Sequence, residues 1–177
     1  MVCKHCGEEI ADESKYCKLC EAMLTPKKPI WLAVVLIVFG SILSCSGKYV
    51  DLGLPSGTKW KAENEEGGLY TYDEAVSRFG DKLPTMKQLG ELECECQWEW
   101  IGDGYKVTGP NGKSIVLSAA GYRDCDGSVN DVGSDGLYWS STPCGSEDAW
   151  YLYFNSGGVS MNYNYRCYGL SVRLVQD

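Results

Sequence analysis

The chain has 177 residues, ten of them cysteine, and a formal net charge of −8. Up to Pro29 there are five Lys against five Asp/Glu, and beyond it eleven Lys/Arg against nineteen Asp/Glu, so the whole acidic excess lies in the C-terminal part. That balance argues against a nucleic-acid partner, since phosphate binding needs clustered cations. With His5 as its one histidine, the chain has no histidine chemistry to offer downstream of the N-terminus.

Residues 1–23 open with Cys3-Lys-His-Cys6 and Cys17-Lys-Leu-Cys20. Each pair has the spacing of a thiolate knuckle, and two knuckles complete a tetrahedral Zn site. Gly7 allows the tight backbone that follows the first knuckle. The segment resembles the short zinc ribbons of bacterial N-termini, with Glu21 where those ribbons often carry Gly. Four thiolates close the coordination sphere, so the expected Zn is structural, and His5 is a bystander. The metal would supply the folding free energy of a segment with almost no core. Free thiolates imply a reducing, cytoplasmic location for this end.

A short linker, residues 24–29, carries Lys27 and Lys28 into an apolar run that contains no charge before Lys48. Pro29 to Gly47 would span roughly 28 Å as a helix, close to the thickness of a bilayer core. Trp31 sits where an interfacial anchor would sit, and the two lysines keep the N-terminus inside. The expectation is a transmembrane helix over residues 30–47. A second reading stays open: Ile42-Leu-Ser-Cys45 resembles a lipobox, in which case Cys45 would be lipidated after cleavage. A third, a buried core helix, would normally show polar positions that this run lacks before Ser41. The first two place residues 48–177 outside the cytoplasm.

Residues 48–177 are long enough for one domain with its own core. Tyr49 to Trp60 reads as strand, turn at Pro55-Ser-Gly57, strand. Thr71-Tyr-Asp-Glu74 and Thr85-Met-Lys-Gln88 are capping boxes that predict two helices, the first ended by Gly80. Beyond Cys96 the pattern turns to β: Trp98 and Trp100, Tyr105–Thr108, a turn at Gly109–Gly112, Ser114–Leu117 and Tyr138–Ser141, with a Gly/Asp/Ser-rich loop over 122–136. Helices followed by short strands predict an α+β domain.

The last fifth of the chain interleaves two vocabularies. Trp150, Leu152 and Phe154 fall on one face of a strand, and Tyr151 and Tyr153 on the other. Val159 and Met161 alternate with Ser160 and Asn162, then Tyr163, Asn164, Tyr165, Cys167 and Tyr168 crowd together before Leu170, Val172 and Leu174 alternate again. One set reads as core. The other, Tyr151, Tyr153, Ser160, Asn162, Tyr163, Asn164, Tyr165, Cys167 and Tyr168, has the composition of an antibody paratope and is the expected ligand-binding face.

Leu83-Pro-Thr85, Ala119-Ala-Gly-Tyr-Arg123, Tyr138-Trp-Ser-Ser-Thr142 and Gly169-Leu-Ser-Val-Arg-Leu-Val175 resemble a paralogous domain of exported bacterial proteins. That domain is similar to the C-type-lectin-like fold of the formylglycine-generating enzyme family. The resemblance implies that fold over Tyr49 to Val175. It implies no catalysis, since Leu-Ser-Val-Arg replaces the enzymes' Gly-Phe-Arg and their paired active-site cysteines have no counterpart. The C-terminal stretch also resembles the variable proteins of diversity-generating retroelements, in which template adenines are rewritten and Asn codons become Tyr, Ser, Asp or Cys. By that resemblance Cys167 is a draw from an Asn codon, and Cys144, Ser146 and Asp148 extend the variable region upstream.

The expected function is therefore that of a membrane-anchored, exported display protein whose Tyr/Asn/Ser-rich face binds a protein or glycan ligand and is diversified by a retroelement; the alternatives are an adhesin domain of fixed specificity and, behind it, a formylglycine-generating-type enzyme. No cofactor is expected beyond the N-terminal Zn: Asp124, Asp126, Asp131 and Asp135 lack calcium-loop spacing and read as a solvated loop. Cys94, Cys96, Cys125, Cys144 and Cys167 are free to oxidise after export, but the odd number assigns no bridge. The anchored and lipidated forms differ in mass. Intact-mass measurement on membrane-extracted protein is expected to retain residues 1–44, and their loss would establish the lipoprotein instead.

Overall fold

The computed structural model describes residues 48–177, so the zinc ribbon, the linker and the apolar run at 30–47 lie outside the described residues. Among the described residues no helix is long and apolar enough to cross a membrane. The first two strands, β1 (Tyr49–Asp51) and β2 (Lys59–Lys61), pair antiparallel. The turn between them closes with Gly57 N–H donating to the Leu54 carbonyl at 2.9 Å. Gly57 has φ 76°, a left-handed conformation open to glycine at no steric cost. Leu52 and Leu54 are buried in that turn, and Trp60 is buried from β2.

Two helices follow. α1 (Tyr72–Phe79) and α2 (Met86–Glu95) each start on the capping box read from the sequence. Thr71 and Glu74 bond reciprocally across the first turn of α1, and Thr85 and Gln88 do so in α2, which satisfies two orphan amides at each start. A 3-10 turn at Gly80–Lys82 joins them. α1 buries Tyr72 and Ala75, and α2 buries Leu89 and Leu92.

The remainder is β-structure. β3 (Gln97–Trp100), β4 (Gly104–Thr108) and β5 (Ser114–Ser118) form a meander, and β6 (Tyr122–Arg123) pairs with β7 (Val129–Asn130). β8 (Gly136–Cys144), β9 (Asp148–Asn155) and β10 (Gly158–Tyr165) form a third sheet with β9 in its centre and β10 at its edge. The last strand, β11 (Val175–Gln176), returns to pair with β2.

The predicted α+β, C-type-lectin-like arrangement is thereby overturned. Among the described residues eleven strands outnumber two α-helices of eight and ten residues. The helices do not lead the domain either, because the first sheet begins before them and is completed by the final strand. The capping boxes start helices but do not set their length. Gly80 ends α1, and Cys96 turns extended at φ −102° and ψ 157° to begin the Trp98/Trp100 alternation.

Two hydrophobic clusters make the core. One joins Leu52, Trp60, Leu89, Leu92, Val107, Leu152 and Phe154; the other joins Tyr70, Ala75, Leu83, Trp139, Tyr151, Leu170 and Val172. Sheet β8-β9-β10 lies between them, since Leu152 and Phe154 of β9 enter the first cluster and Ala149 and Tyr151 the second. Gly136 pairs with Phe154 across β8 and β9, and a Cβ there would stand 2.0 Å from the ring, so the ring occupies the space a side chain would need. Tyr138 stacks on the same Phe154 ring at 5.8 Å. Trp60 is fully buried with its indole N–H unpartnered among the described residues.

Leu170 to Val175 is buried throughout, although Leu170, Val172 and Leu174 read from the sequence as an alternating strand. Its polar members also face protein. Arg173 is 2% exposed, and its guanidinium donates to the carbonyls of Lys61 (2.9 Å), Ala62 (2.5 Å) and Val116 (2.5 Å) and to Asn64 Oδ1 (2.9 Å). Asn64 in turn donates to the Tyr138 hydroxyl, which donates to the Ser118 carbonyl, both at 2.9 Å. Arg173→Met keeps most of the volume but removes the donors to three carbonyls and to Asn64. It is expected to cost about 3–5 kcal/mol, read as a lowered midpoint in denaturant unfolding.

Candidate functional site

Hairpin β9–β10 carries seven of the nine residues expected to bind ligand, and its register sorts them. Opposite residues share a face, and the pairs are Ser160 with Tyr153, Asn162 with Tyr151, and Tyr163 with Trp150. Ser160, Asn162 and Asn164 therefore share a face with Tyr151 and Tyr153. Tyr163 and Tyr165 lie on the other face, with Trp150, Met161 and Leu152. The single face expected from the sequence is in fact two. Alternation within each strand is local, but the turn at residues 155–158 pairs odd positions of β9 with even positions of β10.

On the first face, Tyr151 is 6% exposed and belongs to the core, which corrects its assignment as a contact residue. The physical reason is that both sides of the central strand β9 are covered. Burial pushes the Tyr151 hydroxyl up from its ordinary pKa, helped by Tyr153 and Asp135. Tyr153 is half-buried, donates to Asp135 Oδ2 at 3.0 Å and accepts from Asn155 Nδ2 at 2.7 Å. Burial and then the Asp135 bond hold its phenol protonated above the usual range. Tyr168, half-buried, packs on Tyr122 with centroids 5.7 Å apart, and the Asp124 carboxylate raises its pKa. Ser160 and Asn162 remain exposed.

On the second face, Tyr163 and Tyr165 are 54% and 55% exposed. Met161 on the same face, and Val159 beyond it, are partly buried against the first core cluster, whereas the tyrosines stay exposed. Tyr163 meets Trp150 edge-on at 5.5 Å, which fixes one ring against the other. Trp150 is half-buried, not the core residue its alternation suggested. Between the tyrosines, Asn162 Oδ1 accepts from the Tyr163 amide at 2.8 Å and Asn164 Oδ1 from the Tyr165 amide at 2.9 Å. An edge strand whose own side chains occupy its amides is blunted against strand addition, leaving side chains as its recognition surface.

The end of the hairpin is held from two sides. Arg166 lies over the Tyr72 ring at 4.9 Å and donates to the carbonyls of Asp148 (3.2 Å) and Gly145 (3.0 Å), joining the turn after β10 to α1 and to the β8–β9 turn. Cys167, expected as an unpaired contact residue, is bonded to Cys125 with Cα atoms 5.2 Å apart. It therefore ties the turn after β10 to the β6–β7 turn. Sequence reasoning gave neither Arg166 nor this pairing a role. No local signal joins cysteines 42 positions apart.

Among the described residues the free thiols are Cys94, Cys96 and Cys144. Burial, then the neighbouring Glu91 and Glu95, push the Cys96 thiol up to about 11, so it is protonated and a poor nucleophile near neutral pH. Among the described residues no three His, Cys, Asp or Glu side chains converge as a metal site. Cys3, Cys6, Cys17 and Cys20, the expected Zn ligands, lie outside the described residues.

Residues 110–175 match a family described as a domain of unknown function, DUF8237. The match runs from the turn before β5 into β11, and so includes both hairpin faces and the disulfide. No curated protein matches the chain, and no solved structure does.

Closing a loop of this separation restricts the unfolded chain. Cys125→Ser or mild reduction is expected to lower stability by about 2–4 kcal/mol. Denaturant unfolding with and without reductant measures it, and a change below about 0.5 kcal/mol would show that the loops are held without the bond.

Proposed function

We propose that residues 48–177 form an exported recognition domain that binds its ligand non-covalently through the Tyr/Asn edge of β10. The observation that carries this reading is the pair Tyr163 and Tyr165, more than half exposed on a strand whose next members, Met161 and Val159, are packed into the core. Tyrosine brings a large contact area and a hydroxyl at low entropic cost, and Asn162 and Asn164 bring adaptable hydrogen bonding. Trp150, Arg166 and the Cys125–Cys167 bond hold the edge rigid, which favours recognition of a ligand over refolding around it. The disulfide supports folding in an oxidising compartment, in keeping with export through an anchor at residues 30–47 or a lipid on Cys45. A structural Zn at Cys3, Cys6, Cys17 and Cys20 completes the proposed organisation on the cytoplasmic side.

Diversification by a retroelement is the fuller form of this proposal, applied to the exposed positions Ser160, Asn162, Tyr163 and Tyr165 and the partly exposed Asn164. The alternative is an adhesin domain of fixed specificity, and one observation favours it. Cys167 has a defined partner in Cys125, so it serves the scaffold where an arbitrary draw would leave a lone thiol. The DNA distinguishes the two. Diversification requires a nearby near-copy whose mismatches fall at adenines in the codons of the exposed set.

Binding itself is tested with the full-length chain on a glycan array and against a displayed random-peptide library. Ligands selected by the native chain are expected to weaken at least tenfold on Tyr163→Ala with Tyr165→Ala, with little change in thermal midpoint. Undiminished binding by the double variant would reject the β10 edge as the recognition surface.

A further inference from the structure

A concavity lies on different elements from the hairpin edge. An open cavity of about 740 Å³ lies between α1 and the β6–β7 hairpin, within the size range of small-molecule sites. Its polar lining comes from Arg78, Arg123, Ser77 and Glu74, and its apolar lining from Leu69, Tyr70 and Val129. Two guanidiniums facing one opening are notable in a domain where nineteen acidic residues outnumber eleven basic ones.

The two arginines are held differently. Arg123 is largely committed: it donates to the Leu69 carbonyl at 3.2 Å and stands 3.7 Å from the Glu74 carboxylate. Glu74 is itself kept below the usual carboxylate range by the Thr71 amide and hydroxyl of the α1 capping box, so it stays ionised and balances one arginine. Arg78 has no such partner. Its guanidinium lies 5.5 Å from the Tyr70 ring centroid and 5.4 Å from that of Phe79, and it makes no hydrogen bond or ion pair among the described residues. The rings restrict the guanidinium through its face and leave its N–H edge unengaged. Tyr70 is fixed in turn, because it is 6% exposed, meets Phe79 edge-on at 5.3 Å, and donates its hydroxyl to the Glu66 carbonyl. Arg78 is thus a cation positioned in advance, with one net positive charge in the cavity and a Ser77 hydroxyl beside it.

We propose that this cavity binds an organic carboxylate, with Arg78 taking the carboxylate on its N–H edge and Leu69 and Val129 covering the ligand's apolar body. A planar guanidinium matches a planar carboxylate in a two-point fork, which a lysine cannot reproduce. Val129 is 56% exposed on a two-residue strand, and an apolar ligand portion would cover it. The site stands independently of the reading given to Tyr163 and Tyr165, whose elements it does not share.

The test is saturation-transfer NMR on the full-length chain with benzoate, using benzyl alcohol as the neutral analogue and inorganic phosphate as an anion without an apolar body. Benzoate is expected to bind saturably, at least tenfold tighter than benzyl alcohol and tighter than phosphate. Arg78→Gln and Arg78→Lys are each expected to weaken benzoate at least fivefold. Arg78 is exposed and makes no hydrogen bond, so the fold should tolerate both changes. Val129→Glu, on a separate element, is expected to weaken benzoate by charge repulsion without touching Arg78. Equal binding of benzoate and benzyl alcohol, equal binding of benzoate and phosphate, or full binding by the Arg78 variants would each overturn the proposal. Loss of peptide or glycan binding on the β10 variants leaves these outcomes unchanged, so the two sites fail separately.

Discussion

One buried cation organises this domain. Arg173 comes six residues after the disulfide cysteine Cys167 and carries the chain's final segment through the interior, where its guanidinium bonds backbone carbonyls beyond β2 and in β5. Those carbonyls take charge-assisted hydrogen bonds from a cation with almost no access to water, so losing either side would cost stability. Asn64 and Tyr138 extend the network to β8. Burial lowers the Arg173 pKa from its ordinary value, though the group remains a cation, and the hydrogen bonds compensate for the water it has lost. The final strand can close onto β2 because this segment reaches it in register.

With the C-terminus fixed in this way, sheet β8-β9-β10 is packed on both sides. Most two-faced strands in a small domain show one face to water. Here both faces of β9 enter a core cluster, with Trp150 and Tyr153 half-buried, and the exposed side chains of the two hairpin strands lie on β10. That explains why Tyr151 and Tyr163, so similar in the sequence, have opposite fates. Tyr151 is on the central strand and is used for packing, with its phenol raised in pKa by burial. Tyr163 is on the edge strand and is half in water.

The two proposed sites draw on different physics. The β10 edge offers aromatic area, amide groups and few charges, and suits a ligand recognised by shape and hydrogen bonding. The cleft beside α1 offers a cation held by aromatic faces with apolar side chains beside it, and would suit a carboxylate with an apolar body. The disulfide between Cys125 and Cys167 bears on both, since it links the β6–β7 turn beside the cleft to the turn that ends β10.

Much of the local architecture was legible in the residues themselves. Both capping boxes, the β1–β2 turn, the β3-β4-β5 meander and the presence of a Tyr/Asn-rich edge are signals written within a few positions, and local hydrogen bonding is enough to express them. The helices' share of the fold was overread, because a capping box marks where a helix begins and says nothing of where packing ends it. The exposed Tyr/Asn surface of the hairpin was half legible. Composition identified Tyr163 and Tyr165, but placing Tyr151 beside them required the register across a hairpin, and one position of slip exchanges core for surface. Pairing Cys125 with Cys167, joining Arg173 to β2 and β5, and setting Arg78 and Arg123 around one cleft were decided by tertiary structure alone. Each of these contacts is made between groups distant in sequence, and only the closed core brings them within bonding distance.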